Sequence, residues 1–135
     1  MPNAPVEHWE QERADWIAAV TRLMDDVEHW AARRDWWVQR ETKTVADDDD
    51  QIGAYEAPML RIQTPTARLV VEPIARYVVG ALGRIDLAVF PSYRSVPIVR
   101  RPDGWWIGTS DQGDGKSPWS EESFFETATR LAARK

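Results

Sequence analysis

The fold turns on residues 69–90, LVVEPIARYVV followed by GALG and RIDLAVF. Both long runs are rich in Val, Ile and Leu, and the glycines at 80 and 83 mark a turn between them. The stretch therefore reads as two strands of an antiparallel hairpin. A three-residue loop with Gly83 in the left-handed region predicts that Val79 pairs with Ile85, Tyr77 with Leu87 and Ala75 with Val89. That face is wholly apolar. The opposite face sets Val70, Glu72, Ile74, Arg76 and Val78 beside Arg84, Asp86, Ala88 and Phe90, a mixture of charge and hydrocarbon.

Reading outward toward the N-terminus, residues 65–68 form a turn and residues 58–64 (PMLRIQT) an earlier strand. Residues 36–45 (WWVQRETKTV) alternate and are rich in aromatic and β-branched side chains, which predicts the first strand of the sheet. Toward the C-terminus, Pro91 and Pro97 cannot donate to a ladder, so residues 90–97 read as a bend, a bulge or an edge. Residues 96–101 and 105–109 flank Pro102-Asp103-Gly104, a strong turn signal that predicts a second hairpin. Residues 110–118 (SDQGDGKSP) read as a polar loop.

Helices close both ends. Trp9, Trp16, Val20, Leu23, Val27 and Trp30 fall at helical spacing and predict one amphipathic helix from residue 6 to about residue 34. Ser120, with Glu121 and Glu122 after it, caps a last helix whose apolar face is Phe124, Phe125, Ala128, Leu131 and Ala132. The expected fold class is α+β: an N-terminal amphipathic helix, an antiparallel meander of five to six strands and a C-terminal helix, in one domain over residues 1–135. The helices are the only elements available to cover the apolar face of the meander.

Composition narrows the chemistry. There is no cysteine, which removes disulfides, thiolate ligands and a cysteine nucleophile. The first residues, MPNAPVEHWEQE, have neither a basic nor an apolar leader region, and no stretch is apolar enough to span a membrane, so a cytoplasmic location is expected. Arginine outnumbers lysine 14 to 3, which we read as the codon bias of a GC-rich bacterial genome. Charge is segregated: residues 1–56 carry 14 acids and 6 bases, residues 57–104 carry 3 and 7, and residues 105–135 carry 5 and 4. A basic middle within a chain of net charge −5 signals either an anionic ligand or internal pairing with the acidic parts.

The motifs that could carry catalysis are incomplete. The run Gly113-Asp114-Gly115-Lys116-Ser117 follows a strand and precedes a helix, but a Walker A loop needs glycine where Ser110 stands. The adjacent carboxylates Asp47 to Asp50 lack the alternate spacing of an EF-hand, and neither Asp111 nor Glu122 completes one. His8 and His29 are 21 residues apart on one helix, about 30 Å, so they cannot share a metal. No Gly-x-Ser-x-Gly elbow is present.

Two readings remain. The densest aromatic and basic group, Tyr93, Arg94, Arg100, Arg101, Trp105 and Trp106, suits a protein interface; alternation sends Trp105 and Trp106 to opposite faces, so at most one joins the core. The leading expectation is a non-enzymatic interaction module of adaptor, chaperone or toxin-neutralising type, with a protein partner, no cofactor and no membrane. A net charge of −5 argues against nucleic acid. The alternative is a metal-dependent, nuclease-like enzyme in which Glu72 and Asp86 hold the ion and Arg76 or Arg84 clamps a phosphodiester, although a nearby lysine is missing from the sequence pattern.

Overall fold

The computed structural model describes residues 6–46, 54–76, 82–108 and 116–133, with backbone only for residues 6–9. Helix α1 (Val6–Arg33) leads into strands β1 (Trp37–Val45), β2 (Tyr55–Gln63), β3 (Arg68–Ala75), β4 (Gly83–Phe90), β5 (Arg94–Arg101), β6 (Gly104–Gly108) and β7 (Lys116–Pro118), and helix α2 (Glu121–Ala133) follows. The strands form one antiparallel sheet in sequence order, β1 to β7. The α+β meander between two helices is as expected, with one strand more: β7 occupies the end of the stretch read as a polar loop.

Both helices lie on the same side of the sheet. From α1, Trp16, Val20, Leu23, Met24, Val27 and Ala31 are buried, the spacing of one helical face. From α2, Phe124, Phe125, Ala128 and Leu131 join them in a single core with Leu69, Val71, Ile85, Leu87, Val89, Val96, Ile98 and Ile107 of the sheet. Trp16 sits at the centre of one end. Its indole N–H donates to the Tyr55 hydroxyl at 2.8 Å, its ring lies 5.8 Å from that of Trp105, and a Cβ added at Gly83 would meet it at 2.4 Å. Glycine is therefore required at 83 by close approach of an indole. At the other end Trp30, Trp36, Trp119, Phe124 and Phe125 form a chain of ring contacts with centroids 5.1–6.4 Å apart.

Local signals explain the junctions. Helix α1 ends in a Schellman motif: Trp36 N–H donates to the Ala31 carbonyl, Asp35 N–H to that of Ala32, and Asp35 takes the left-handed position at φ 60°. This turn sends Trp36 toward α2 and Trp37 to the far side of the sheet. Helix α2 is capped as expected. Ser120 Oγ accepts from Ser123 N–H and Ser123 Oγ accepts from Ser120 N–H, a reciprocal capping box. The Pro102–Asp103 turn joins Arg101 to Gly104, which takes φ 128°.

The register expected for residues 69–90 is corrected. Val89 pairs with Leu69, Leu87 with Val71, Asp86 with Glu72 and Ile85 with Pro73, a displacement of six residues from the expected pairing; Ala75 pairs with Arg84, beyond a ladder irregularity between Pro73 and Ala75. Because six is even, residues 69–73 and 85–89 keep their expected faces, whereas the irregularity after Pro73 turns Arg76, expected on the mixed face, toward α1. The strand ends at Ala75, and Tyr77, Val78, Val79, Gly80 and Ala81 lie outside the described residues.

Candidate functional site

The side of the sheet away from the helices is open, and the registers set its side chains in rows. Trp37 pairs with Gln63, Gln63 with Arg68 and Arg68 with Phe90, one row across four strands. The next row is Gln39, Arg61, Val70, Ala88 and Ser95. Further along, Glu72, Asp86 and Pro97 share a row, as do Arg84, Val99, Trp106 and Pro118. Val70, Ala88 and Val99 are buried although neither helix reaches this face, because the long neighbouring side chains and the twist of the sheet screen them.

Most charges on the open face neutralise one another. Arg61 Nε lies 2.6 Å from Glu41, Arg84 makes two contacts with Asp86 at 2.7 and 3.2 Å, and Lys43 Nζ is 3.5 Å from Glu72. Three acids of α1 are used elsewhere. Glu12 pairs with Arg76 at 3.0 Å, and Asp25 and Glu28 both hold Arg40. Burial pulls the Arg40 guanidinium down, but its hydrogen bonds to Glu28 and Asp25 outweigh this and hold its pKa above the ordinary value. The segment containing Asp47 to Asp50 lies outside the described residues; β1 ends at Val45 and β2 begins at Tyr55, the opposite end of the pair from Trp37 and Gln63. Among the described residues, no acid of either helix pairs with a cation of the open face.

The first row differs from the others. A depression of about 320 Å³ is lined by Trp37, Arg61, Gln63, Arg68, Val70 and Phe90, with Ile62 and Leu69 contributing at its base. Trp37 is 59% exposed and Tyr93, in the turn between β4 and β5, is 64% exposed. The Tyr93 ring meets Phe90 edge-on with centroids 4.5 Å apart, and its backbone sits at φ 61°. Gln63 is fixed by donating to the carbonyls of Thr64 and Ala67, and its free carbonyl oxygen accepts from Arg68 Nε at 3.3 Å. Arg68 forms no ion pair with any described residue. The row thus combines two exposed or half-buried aromatic rings, with Tyr93 against one of them, and one oriented guanidinium that has no ion-pair partner among the described residues.

The six residues expected to form an interface do not form one site. Tyr93 and Arg94 stand at one end of β5 and Arg100 and Arg101 at the other, about 23 Å away at the usual rise per residue. Arg100 and Trp105 face the helices, where Trp105 packs on Trp16; Arg94 also turns that way and donates to the Leu131 carbonyl of α2. Arg101 and Trp106 remain on the open face, with the guanidinium 6.0 Å from the indole ring and the indole N–H bonded to Asp103 at 3.0 Å. Trp105 and Trp106 therefore divide between core and open face as alternation required.

The alternative set is rearranged too. Arg76 does not stand opposite Ala88; it lies past the end of β3, is buried, and faces α1. Glu72 and Asp86 are directly opposite one another, closer than expected, and Lys43 from β1 supplies the lysine that the sequence pattern lacked. Both carboxylates already have cationic partners. Among the described residues no three His, Asp or Glu side chains gather closely enough to hold a metal ion. His29 is exposed on α1, the His8 side chain is not described, and Gly113, Asp114 and Gly115 lie outside the described residues.

The chain matches no protein-family model, no curated protein and no solved structure. Among the described residues no helix is long and apolar enough to cross a membrane.

Proposed function

We propose that this chain is a non-enzymatic protein-binding module of a bacterial cytosol, of adaptor, chaperone or toxin-neutralising type, and that it docks its partner on the open face of the sheet. The observation that carries this reading is the row of Trp37, Gln63, Arg68 and Phe90, where an exposed indole and a half-buried ring flank a cation that has no acid partner among the described residues. Interfaces are enriched in Trp, Tyr and Arg because such side chains bury much area at low entropic cost. The segregation of charge supports the same reading, since the acids of α1 leave the open face uncovered. Affinity purification of the wild-type chain from its host tests it. A stoichiometric protein partner that protects Trp37 and Tyr93 from hydroxyl-radical oxidation is expected; recovery of the chain alone, or protection confined to α1, contradicts it.

A second reading is favoured by one specific contact, Lys43 beside Glu72, which completes an acid, acid and lysine grouping with Asp86. In that reading a divalent ion on Glu72 and Asp86 would orient a phosphodiester. Binding would have to displace Arg84 and Lys43 from the two carboxylates, which weighs against it. Calorimetry with Mg²⁺ and Mn²⁺ that shows no heat of binding, or nuclease activity unchanged in Glu72→Ala, removes it.

A further inference from the structure

The first row of the open face also has properties that select the kind of segment it would hold. Its volume of about 320 Å³ lies at the bottom of the range for small-molecule sites, which suits one or two side chains better than a cofactor. Its apolar lining includes Val70 and the rings of Trp37 and Phe90, and Tyr93, outside the lining, packs edge-on against Phe90. Such a lining favours a bulky apolar group. The charges select further. Arg61 is already matched by Glu41, whereas Arg68 is aimed by Gln63 and meets no carboxylate among the described residues. A planar guanidinium held in place is suited to a bidentate carboxylate.

Tyr93 adds an independent observation. A bulky side chain at φ 61° is an uncommon arrangement that costs on the order of one or more kcal/mol, and such outliers cluster where function requires a side chain in a particular place. This one is exposed, so its burial cannot repay the cost, and its ring lies against Phe90, which lines the depression.

We infer that the depression binds an extended peptide segment in which a carboxylate side chain is adjacent to a bulky apolar one, the carboxylate on Arg68 and the apolar group over Val70 between Trp37 and Phe90. The inference rests on the protein-binding reading and names its partner's chemistry. Aromatic rings and arginine on a sheet also suit single-stranded nucleic acid. Here the charges disfavour it: beyond the depression the open face's cations Arg61, Lys43 and Arg84 are already matched by Glu41, Glu72 and Asp86, on a chain of net charge −5.

The test is selection from a phage library of random twelve-residue peptides on the wild-type chain, counter-selected on a folded Trp37→Ala, Arg68→Glu double variant. Clones should be enriched in Asp or Glu beside Phe, Trp, Leu or Ile. The affinity of a selected peptide should fall about tenfold in Arg68→Glu, and a Lys-for-acid version of the peptide should regain most of that loss on the same variant. A fluorescein-labelled oligothymidylate should bind at least about tenfold more weakly than the peptide. Clones rich in Lys or Arg, no clone that distinguishes the wild type from the double variant, or tighter binding of the oligothymidylate would each overturn the inference. If the host partner is recovered but binds the double variant equally well, this inference and docking on the open face fail while protein binding itself stands; if no host partner is recovered, the protein-binding reading fails first.

Discussion

Two Trp-Trp pairs, at 36–37 and 105–106, show how differently the two faces of this sheet are treated. In each pair one ring goes to the helices: Trp36 meets Phe125 at 5.2 Å and Trp105 meets Trp16 at 5.8 Å. The other ring goes to the open face, where Trp106 is tied to Asp103 and Trp37 is left 59% exposed. On the helix side the aromatic residues are packed by more than one element, and glycine at 83 is needed to admit them. On the open side aromatic and charged residues are organised by the sheet alone. Stability is concentrated on the first face, and the proposed binding surface lies on the second.

That contrast can be broken or sharpened by substitution. The largest effect is expected from Trp16→Ala, which removes a fully buried indole and its bond to Tyr55 and should lower the unfolding free energy by about 3–5 kcal/mol in urea titrations. Gly83→Ala tests the same packing from the backbone side. Its new methyl would lie within 2.4 Å of the Trp16 ring, and overpacking of that kind should cost about 1–3 kcal/mol, with near-ultraviolet circular dichroism reporting the displaced indole.

On the open face the sign should reverse. Tyr93→Asn places a residue tolerant of the left-handed region at φ 61° and should raise stability by about 0.5–1 kcal/mol in the same titration while weakening peptide binding. A loss of stability would show instead that Tyr93 is there for its packing on Phe90. The smallest effect is expected from Trp37→Ala, within about 0.5 kcal/mol of the wild type, because so little of that ring is buried. A loss approaching that of Trp16→Ala would erase the distinction between the faces.

The elements with strong local codes were legible in the sequence: the helical stripe of α1, the Ser120 cap, and the turn at Pro102 and Asp103. The 69–90 hairpin was recognised, but its register was not. Residues 69–79 carry apolar side chains in both phases, so more than one pairing buries hydrocarbon, and only the final ladder at Leu69–Val89 decides. Strand β7 is three residues long and carries one lysine, one serine and one proline, too little for a strand pattern. The proposed binding row was illegible for a related reason: Trp37, Gln63, Arg68 and Phe90 become neighbours only after three registers are known. One signal was available. The alternation that divided Trp105 from Trp106 applies equally to Trp36 and Trp37, and would have marked one of them as facing away from the core.

The most direct measurement of the claim that the open face is where this chain acts is a paired affinity purification from the host, with the wild type and the Trp37→Ala, Arg68→Glu double variant expressed at equal levels. The account predicts a stoichiometric partner on the wild type and its loss from the double variant, with the two chains unfolding at the same urea midpoint. A partner retained in full by the double variant would contradict it.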